Sequence, residues 1–295
     1  MVFMPALLQP YTRQITGSND IALGHFGSLG YFVSGTVGKF FGDKTKSTED
    51  IKVPKSLGFL RDTSVAVSLT MTIMFLIVSF AAGPSYIEKE LSGGSNFLVF
   101  ALTQAITFAA GVYIVLAGVR MLLAEIVPAF KGIADKVVPN AIPALDCPAV
   151  FPFAPNAVIV GFLFSFIAGI ISMPILALLG LKVIVPGLVP HFFTGAAAGV
   201  FGNATGGRRG AILGSMANGF MISFLPALLL PVLGSLGFEG TTFGDADFGM
   251  IGLILGNLIK TSTIIIYVLP IILILFAFLS GGKNNIANKG INKAS

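Results

Sequence analysis

The chain has 295 residues, 55% of them hydrophobic and only 11% charged, with a formal net charge of +5. Soluble domains carry about 25% charged residues, so a water-facing globular surface is excluded and the apolar surface calls for a bilayer. One cysteine rules out a disulfide framework, two histidines without a matching carboxylate cluster argue against a metal, and no basic stripe interleaved with aromatics points to nucleic acid.

A membrane-crossing helix needs about 20 mostly apolar residues. The first ten residues, "MVFMPALLQP", read as the end of a span that begins earlier. A short, Gly-interrupted apolar segment follows at about 21–41, and full-length spans are predicted at about 65–84 and 97–119. Next comes a Pro-punctuated segment at about 139–153, read as re-entrant. A span at about 156–180, a Gly-rich segment at about 184–204, and spans at about 211–236 and 250–279 complete the chain. The fold class is therefore all-α: a multi-span helical membrane protein with broken helices, read as a single domain over 1–295.

The loops carry the orientation. Lys44, Lys46, Lys52, Lys55 and Arg61 fall in the loop 42–61, which the positive-inside rule places in the cytoplasm. Arg120, Lys131 and Lys136, then Arg208 and Arg209, then a tail with Lys283, Lys289 and Lys293, return to the same side. The loop 237–248 holds Glu239, Asp245 and Asp247 but no Lys or Arg, and falls outside. Lys182 is the one discordant charge.

Several side chains are candidates for chemistry. Asp146 lies in "PNAIPALDCPAVFPFAPNA", among prolines that break helical hydrogen bonding. Broken backbone at membrane depth must be buried in protein or line a cavity, and an ionisable residue there marks a functional site. The competing reading is a helix N-cap at the membrane interface. A carboxylate suits a polyhydroxylated ligand because it accepts hydroxyl hydrogen bonds strongly. Asn156, near the same break, offers donors and acceptors.

His25 sits between Gly24 and Gly27, where backbone can approach a ligand. Its segment "HFGSLGYFVSGTVGKFFG" resembles "HFFTGAAAGVFGNATGG" at His191, and such repeated, Gly-interrupted segments point to transporter binding sites as readily as to helix packing. "GNATGGRRG" lacks the G-x-x-x-x-G-K-[ST] pattern of ATP hydrolysis and reads as a positive-inside loop or a docking face. Cys147 reads as a small buried residue.

The stretches "MPALLQPYTRQITGSNDIALGHFGSLGY", "KSTEDIKVPKSLGFLRDT", "ALDCPAVFPFAPNAVIVGF" and "HFFTGAAAGVFGNATGGRRGAI" resemble the membrane component (enzyme IIC) of the ascorbate-specific phosphoenolpyruvate-dependent phosphotransferase system. The resemblance implies a bacterial plasma-membrane homodimer built from inverted repeats. It implies binding of L-ascorbate or a related sugar acid, with phosphorylation by a separate IIB component fed by IIA. His25, Phe26 and Asp146 fall on the family's ligand contacts, and no catalytic residue, metal or cofactor is implied in this chain. Family members are longer at the N-terminus, so the chain is expected to be the C-terminal part of such a permease. Two other readings stay open: an ion-coupled secondary transporter of another small polar metabolite, and an inactive fragment.

Overall fold

The computed structural model describes residues 3–51, 63–137, 141–233, 243–262, 264 and 267–275. Within them the architecture is all-α apart from one two-residue ladder. Helix α1 (Met4–Thr16) ends at Gly17, whose left-handed φ of 76° returns its N–H to the Arg13 carbonyl. A strand β1 (Ala22–Leu23) leads into α2 (Ser28–Phe41). Helix α3 (Thr63–Ala82) stops at Gly83, and the chain turns through 95° into the short α4 (Pro84–Tyr86) and a π turn (Ile87–Leu91). Asn96 caps α5 (Phe97–Lys136), accepting the Leu98 N–H at 2.9 Å.

At 1.5 Å per residue the 40 residues of α5 reach roughly 60 Å. Arg120, Lys131 and Lys136 therefore ride on a continuous helix. Strand β2 (Ala144–Leu145), a 3-10 helix (Cys147–Phe153), α6 (Pro155–Leu178), α7 (Leu188–Leu233) and α8 (Ala246–Thr261) follow. Residues 52–62, 138–140, 234–242 and those beyond 275, with Lys52, Lys55, Arg61, Glu239 and the basic tail, lie outside the described residues.

Among the described residues, three helices are long and apolar enough to cross a membrane, or four if the bent pair before α5 is one span. The longest of these, α7, is not one rod. Backbone geometry leaves the helical region at Gly206 and Gly207, and the two arms, 188–205 and 208–233, fold back on each other. Asn218 Nδ2 donates to Thr194 Oγ1 at 3.1 Å across the arms. Near the turn, a Cβ on Gly202 would stand 2.3 Å from the Gly210 carbonyl oxygen. The "GG" read as part of a loop is thus the tip of a helical hairpin.

Glycine and serine let the central helices approach backbone to backbone. Helix α2 lies along both arms: Ser34 Oγ donates to the Ala198 carbonyl at 2.5 Å, and Gly214 faces Ser34 from the other arm. Helix α6 packs on the first arm through Gly161, Gly195 and Gly199, where a Cβ would collide with backbone or, at Gly195, with the Ser165 side chain. Without a hydrophobic force between helices in lipid, such close packing is what holds them together. Tyr31, Phe162, Phe192 and Phe201 fill the centre, while Ile106, Ile114, Met121 and Leu122 of α5 face outward.

The segment after α2 is tied to this bundle by polar contacts. Asp43 N–H donates to Gly206 O at 2.8 Å and Arg208 N–H to Lys46 O at 2.7 Å. Arg208 Nε donates to Ser47 O, and Asn203 Oδ1 accepts the Thr48 N–H at 2.9 Å. Helix α6 opens on Ala154, which has no capping side chain. Glu49 supplies one from a distance, its carboxylate accepting the N–H groups of Asn156 and Ala157 at 3.3 and 3.0 Å. Asn156 turns the same way, its Nδ2 donating to Thr48 O.

Gly207 has φ +57°, and its Cβ would stand 2.2 Å from the Asp43 carbonyl oxygen. Gly207→Ala is expected to lower stability by about 2 kcal/mol or more, from left-handed strain and this collision. Gly118→Ala, on open helix surface, is expected to change it by at most about 1 kcal/mol, in the stabilising direction. Thermal unfolding in detergent, followed by size exclusion, separates the two. Glu49→Ala is expected to cost about 1 kcal/mol by the same measurement, as for a lost N-cap.

Candidate functional site

Strand β1 pairs with β2 in parallel, Ala22 opposite Ala144 and Leu23 opposite Leu145. The Ala22 N–H donates to Pro143 O at 2.9 Å and the Gly24 N–H to Leu145 O at 2.8 Å. The residues that leave this ladder are His25 on one strand and Asp146 on the other. Two segments some 120 positions apart in the chain are thereby brought to one place, where they line a cavity of about 410 Å³. Gly24 is required at the crossing, because a Cβ there would stand 2.9 Å from the Ala144 methyl.

The imidazole is held on three sides. Gly27 N–H donates to His25 Nδ1 at 2.9 Å, and Tyr31 Oη lies 2.7 Å from the same nitrogen. A backbone N–H can only donate, so Nδ1 is the bare acceptor and the ring proton is assigned to Nε2. The ring stacks on Tyr31, which stacks on Phe201, with centroids 5.7 and 5.6 Å apart. Nε2–H then faces two carboxylates, Asp146 Oδ1 at 3.6 Å and Asp245 Oδ1 at 3.8 Å.

Both distances exceed a direct hydrogen bond. They leave room for a hydroxyl that accepts from Nε2–H and donates to a carboxylate. The Asp146 side chain is 65% exposed and His25 18%, so the carboxylate opens onto the cavity. Asp146 also caps the 3-10 helix, accepting the Cys147 N–H at 2.7 Å. The cap reading of Asp146 is thus met on the 3-10 helix, and the same residue also lines the cavity.

The other sequence candidates separate from this group. Phe26 points away, 43% exposed, and meets Phe248 edge-on at 5.7 Å in a neighbouring hollow shared with Asp247 and Ile251. His191 is buried between α6 and α7, with Nδ1 2.9 Å from Ser165 Oγ, and is a packing residue. Asn156 belongs to the capped end of α6. Cys147 is buried behind Asp146. Among the described residues, His25, Asp146 and Cys147 offer ligand atoms within 4.8 Å of one another, a spacing that suits a metal ion and that the two-histidine count did not foresee.

Sequence reasoning missed Asp245 as a site residue, treating it only as part of an acidic loop. Its signal was local: an Asp immediately before an apolar helix, here α8, is normally that helix's N-cap. Asp245 occupies the N-cap position without making the side-chain cap. Asp247, two residues on, instead accepts the Leu29 N–H at 2.5 Å and so caps α2 from afar.

Residues 1–247 match the family model described as "PTS system sugar-specific permease component". The "Ascorbate-specific PTS system EIIC component" of Mycoplasma pneumoniae (strain ATCC 29342 / M129 / Subtype 1) is 30% identical over 231 residues. That alignment covers 68% of this chain and 35% of the relative, so the chain spans about a third of the length of the curated protein it resembles.

If the ladder sets the His25–Asp146 spacing, Gly24→Ala is expected to weaken ligand binding by roughly tenfold, about 1.4 kcal/mol, by pushing the strands apart. Adding Ala144→Gly, which removes the methyl it meets, is expected to restore most of that loss. Equilibrium binding to the single and double variants checks both. A double variant no better than the single one sinks the idea.

Proposed function

The chain belongs to the sugar-specific permease components of the phosphotransferase system, and on that premise we propose that it binds L-ascorbate or a closely related sugar acid in the His25–Asp146 cavity. Transport then delivers the ligand to the cytoplasmic face, where a separate IIB component, charged by IIA, phosphorylates it. The chain contributes no phosphoryl-transfer residue of its own. The observation that carries this reading is the pairing of one imidazole N–H with an open carboxylate at the mouth of a two-strand crossing. A cavity of about 410 Å³ is in the size range of small-ligand sites, about 300–1,000 Å³.

The ligand chemistry follows from the donors and acceptors. A sugar acid presents adjacent hydroxyls, each able to accept from His25 Nε2–H and to donate to Asp146. Charge-assisted hydrogen bonds of this kind are about twice as strong as neutral ones. Phe26, set apart in the next hollow, contributes through the backbone turn it shares with His25.

Depth within the membrane is consistent with this role. Lys44, Lys46 and Arg208 gather at the end of the bundle where the 43–51 segment meets the α7 hairpin tip. Taking that end as cytoplasmic, α2 separates it from the cavity by 14 residues, roughly 20 Å. The cavity thus falls inside the hydrocarbon thickness of about 30 Å, at an interruption in the helices, as transporter sites do. The setting is a bacterial plasma membrane, with a homodimer as the assembled form.

Reconstitution into liposomes with the soluble phosphotransferase proteins and phosphoenolpyruvate tests the reading. Phosphorylated ascorbate is expected inside, and Asp146→Asn is expected to reduce its formation at least about tenfold. Unchanged formation with Asp146→Asn removes that residue from the site. Uptake that follows a proton or sodium gradient without the phosphotransferase proteins would falsify the phosphotransferase reading in favour of an ion-coupled carrier.

A further inference from the structure

We propose that Asp245 is a ligand-contacting residue that shapes specificity, closing the cavity opposite Asp146 so that a ligand hydroxyl face is gripped between two carboxylates. The inference rests on the cavity being the ligand site, as argued above. It assigns a role to the segment before α8 that neither the resemblance nor the sequence reading gave it.

Three independent features carry it. The first is position. Asp245 Oδ1 stands 3.8 Å from His25 Nε2, nearly the 3.6 Å of Asp146 Oδ1, so the one N–H faces two carboxylates at almost equal range. The second is availability. The Asp245 carboxylate is 36% exposed and makes no hydrogen bond among the described residues. An aspartate at an N-cap gains stability by accepting an N–H of its own helix, and Asp245 forgoes that gain to face the cavity. Local rules broken in this way collect at functional sites.

The third feature is that the backbone is built to hold Asp245 there. Gly244 passes so near Pro190 that a Cβ would stand 2.7 Å from the proline Cβ. On the other side, Asp247 N–H donates to Phe26 O at 2.8 Å, while the Asp247 carboxylate accepts the Leu29 N–H at 2.5 Å. The 244–247 segment is therefore stitched to the 25–29 segment by two hydrogen bonds running in opposite directions. These bonds fix Asp245 against His25 without using its own carboxylate, which is left for something else.

The arrangement also states what kind of ligand fits. Two carboxylates repel an anionic group placed between them. The hydroxyl-bearing edge of a sugar acid must face Asp146 and Asp245, and its acidic edge must point away from both. A compact dicarboxylate with no hydroxyls is selected against.

Asp245→Asn in the full chain, purified into lipid nanodiscs, tests the proposal by equilibrium binding of labelled L-ascorbate, with Asp146→Asn alongside. Asp245→Asn is expected to weaken binding roughly tenfold or more, with the ligand-free melting temperature unchanged or raised, because no internal hydrogen bond is lost and a carboxylate repulsion is relieved. Binding within twofold of wild type for Asp245→Asn, with a loss for Asp146→Asn, overturns the proposal and leaves the site reading standing. A loss of binding matched by a fall in the ligand-free melting temperature also overturns it, since the carboxylate would then be holding the fold. Absence of ascorbate binding by the wild-type chain removes the site reading and this proposal together.

Discussion

Two backbone hydrogen bonds, from Ala22 to Pro143 and from Gly24 to Leu145, govern the functional half of this molecule. In water such a pair contributes little, about 1 kcal/mol per bond. In an apolar medium, the same N–H and C=O groups would cost several kcal/mol each if left unpaired. The ladder is therefore obligatory. The meeting of His25 and Asp146 depends on it: both lie just beyond its strands, and Gly24 permits the crossing. Membrane proteins tolerate extended backbone only where protein encloses it or it lines a cavity, and here α1 packs on the buried β1 while β2 lies partly open.

A second regularity is capping at long range. Helix α2 starts at Gly27 and α6 at Ala154, and neither start has a capping side chain of its own. Asp247 and Glu49 supply the missing acceptors from segments far away in the chain. Each carboxylate also meets the positive end of a helix dipole. These contacts do more than finish helices. They tie α8 to α2 at the cavity end and the 43–51 segment to α6 at the basic end, so the two ends of the bundle are locked by the same device.

How much of this was legible in the sequence follows from the range of each interaction. Composition and apolar run length gave the all-α membrane class directly, because lipid leaves a chain few alternatives. Asp146 and His25 stood out because charge and Gly–His–Gly spacing are anomalous inside apolar segments. The ladder did not stand out, since two residues per strand leave no periodic pattern. The two arms of α7 were legible as a Gly-rich segment, a basic loop and a span; what the sequence did not show is how closely they pack, with Gly202 against Gly210 and Asn218 bonded to Thr194. The likeness of His191 to His25 was real in sequence, but burial against Ser165 gives His191 a different task. Asp245 and Glu49 act across more than a hundred positions, and no local rule can see their partners.

The parallel ladder also imposes an order in time. The codons for Ala144 and Leu145 are read about 120 positions after those for their partners Ala22 and Leu23. At about 5–20 residues per second, the first strand waits roughly 6–24 s for its mate. During that interval its open backbone must stay with water or the insertion machinery, because lipid cannot satisfy it. Helix α2, which packs along both arms of α7, can likewise settle fully only after those arms have entered the bilayer. The cavity is assembled last, as a late closure of a nearly finished bundle.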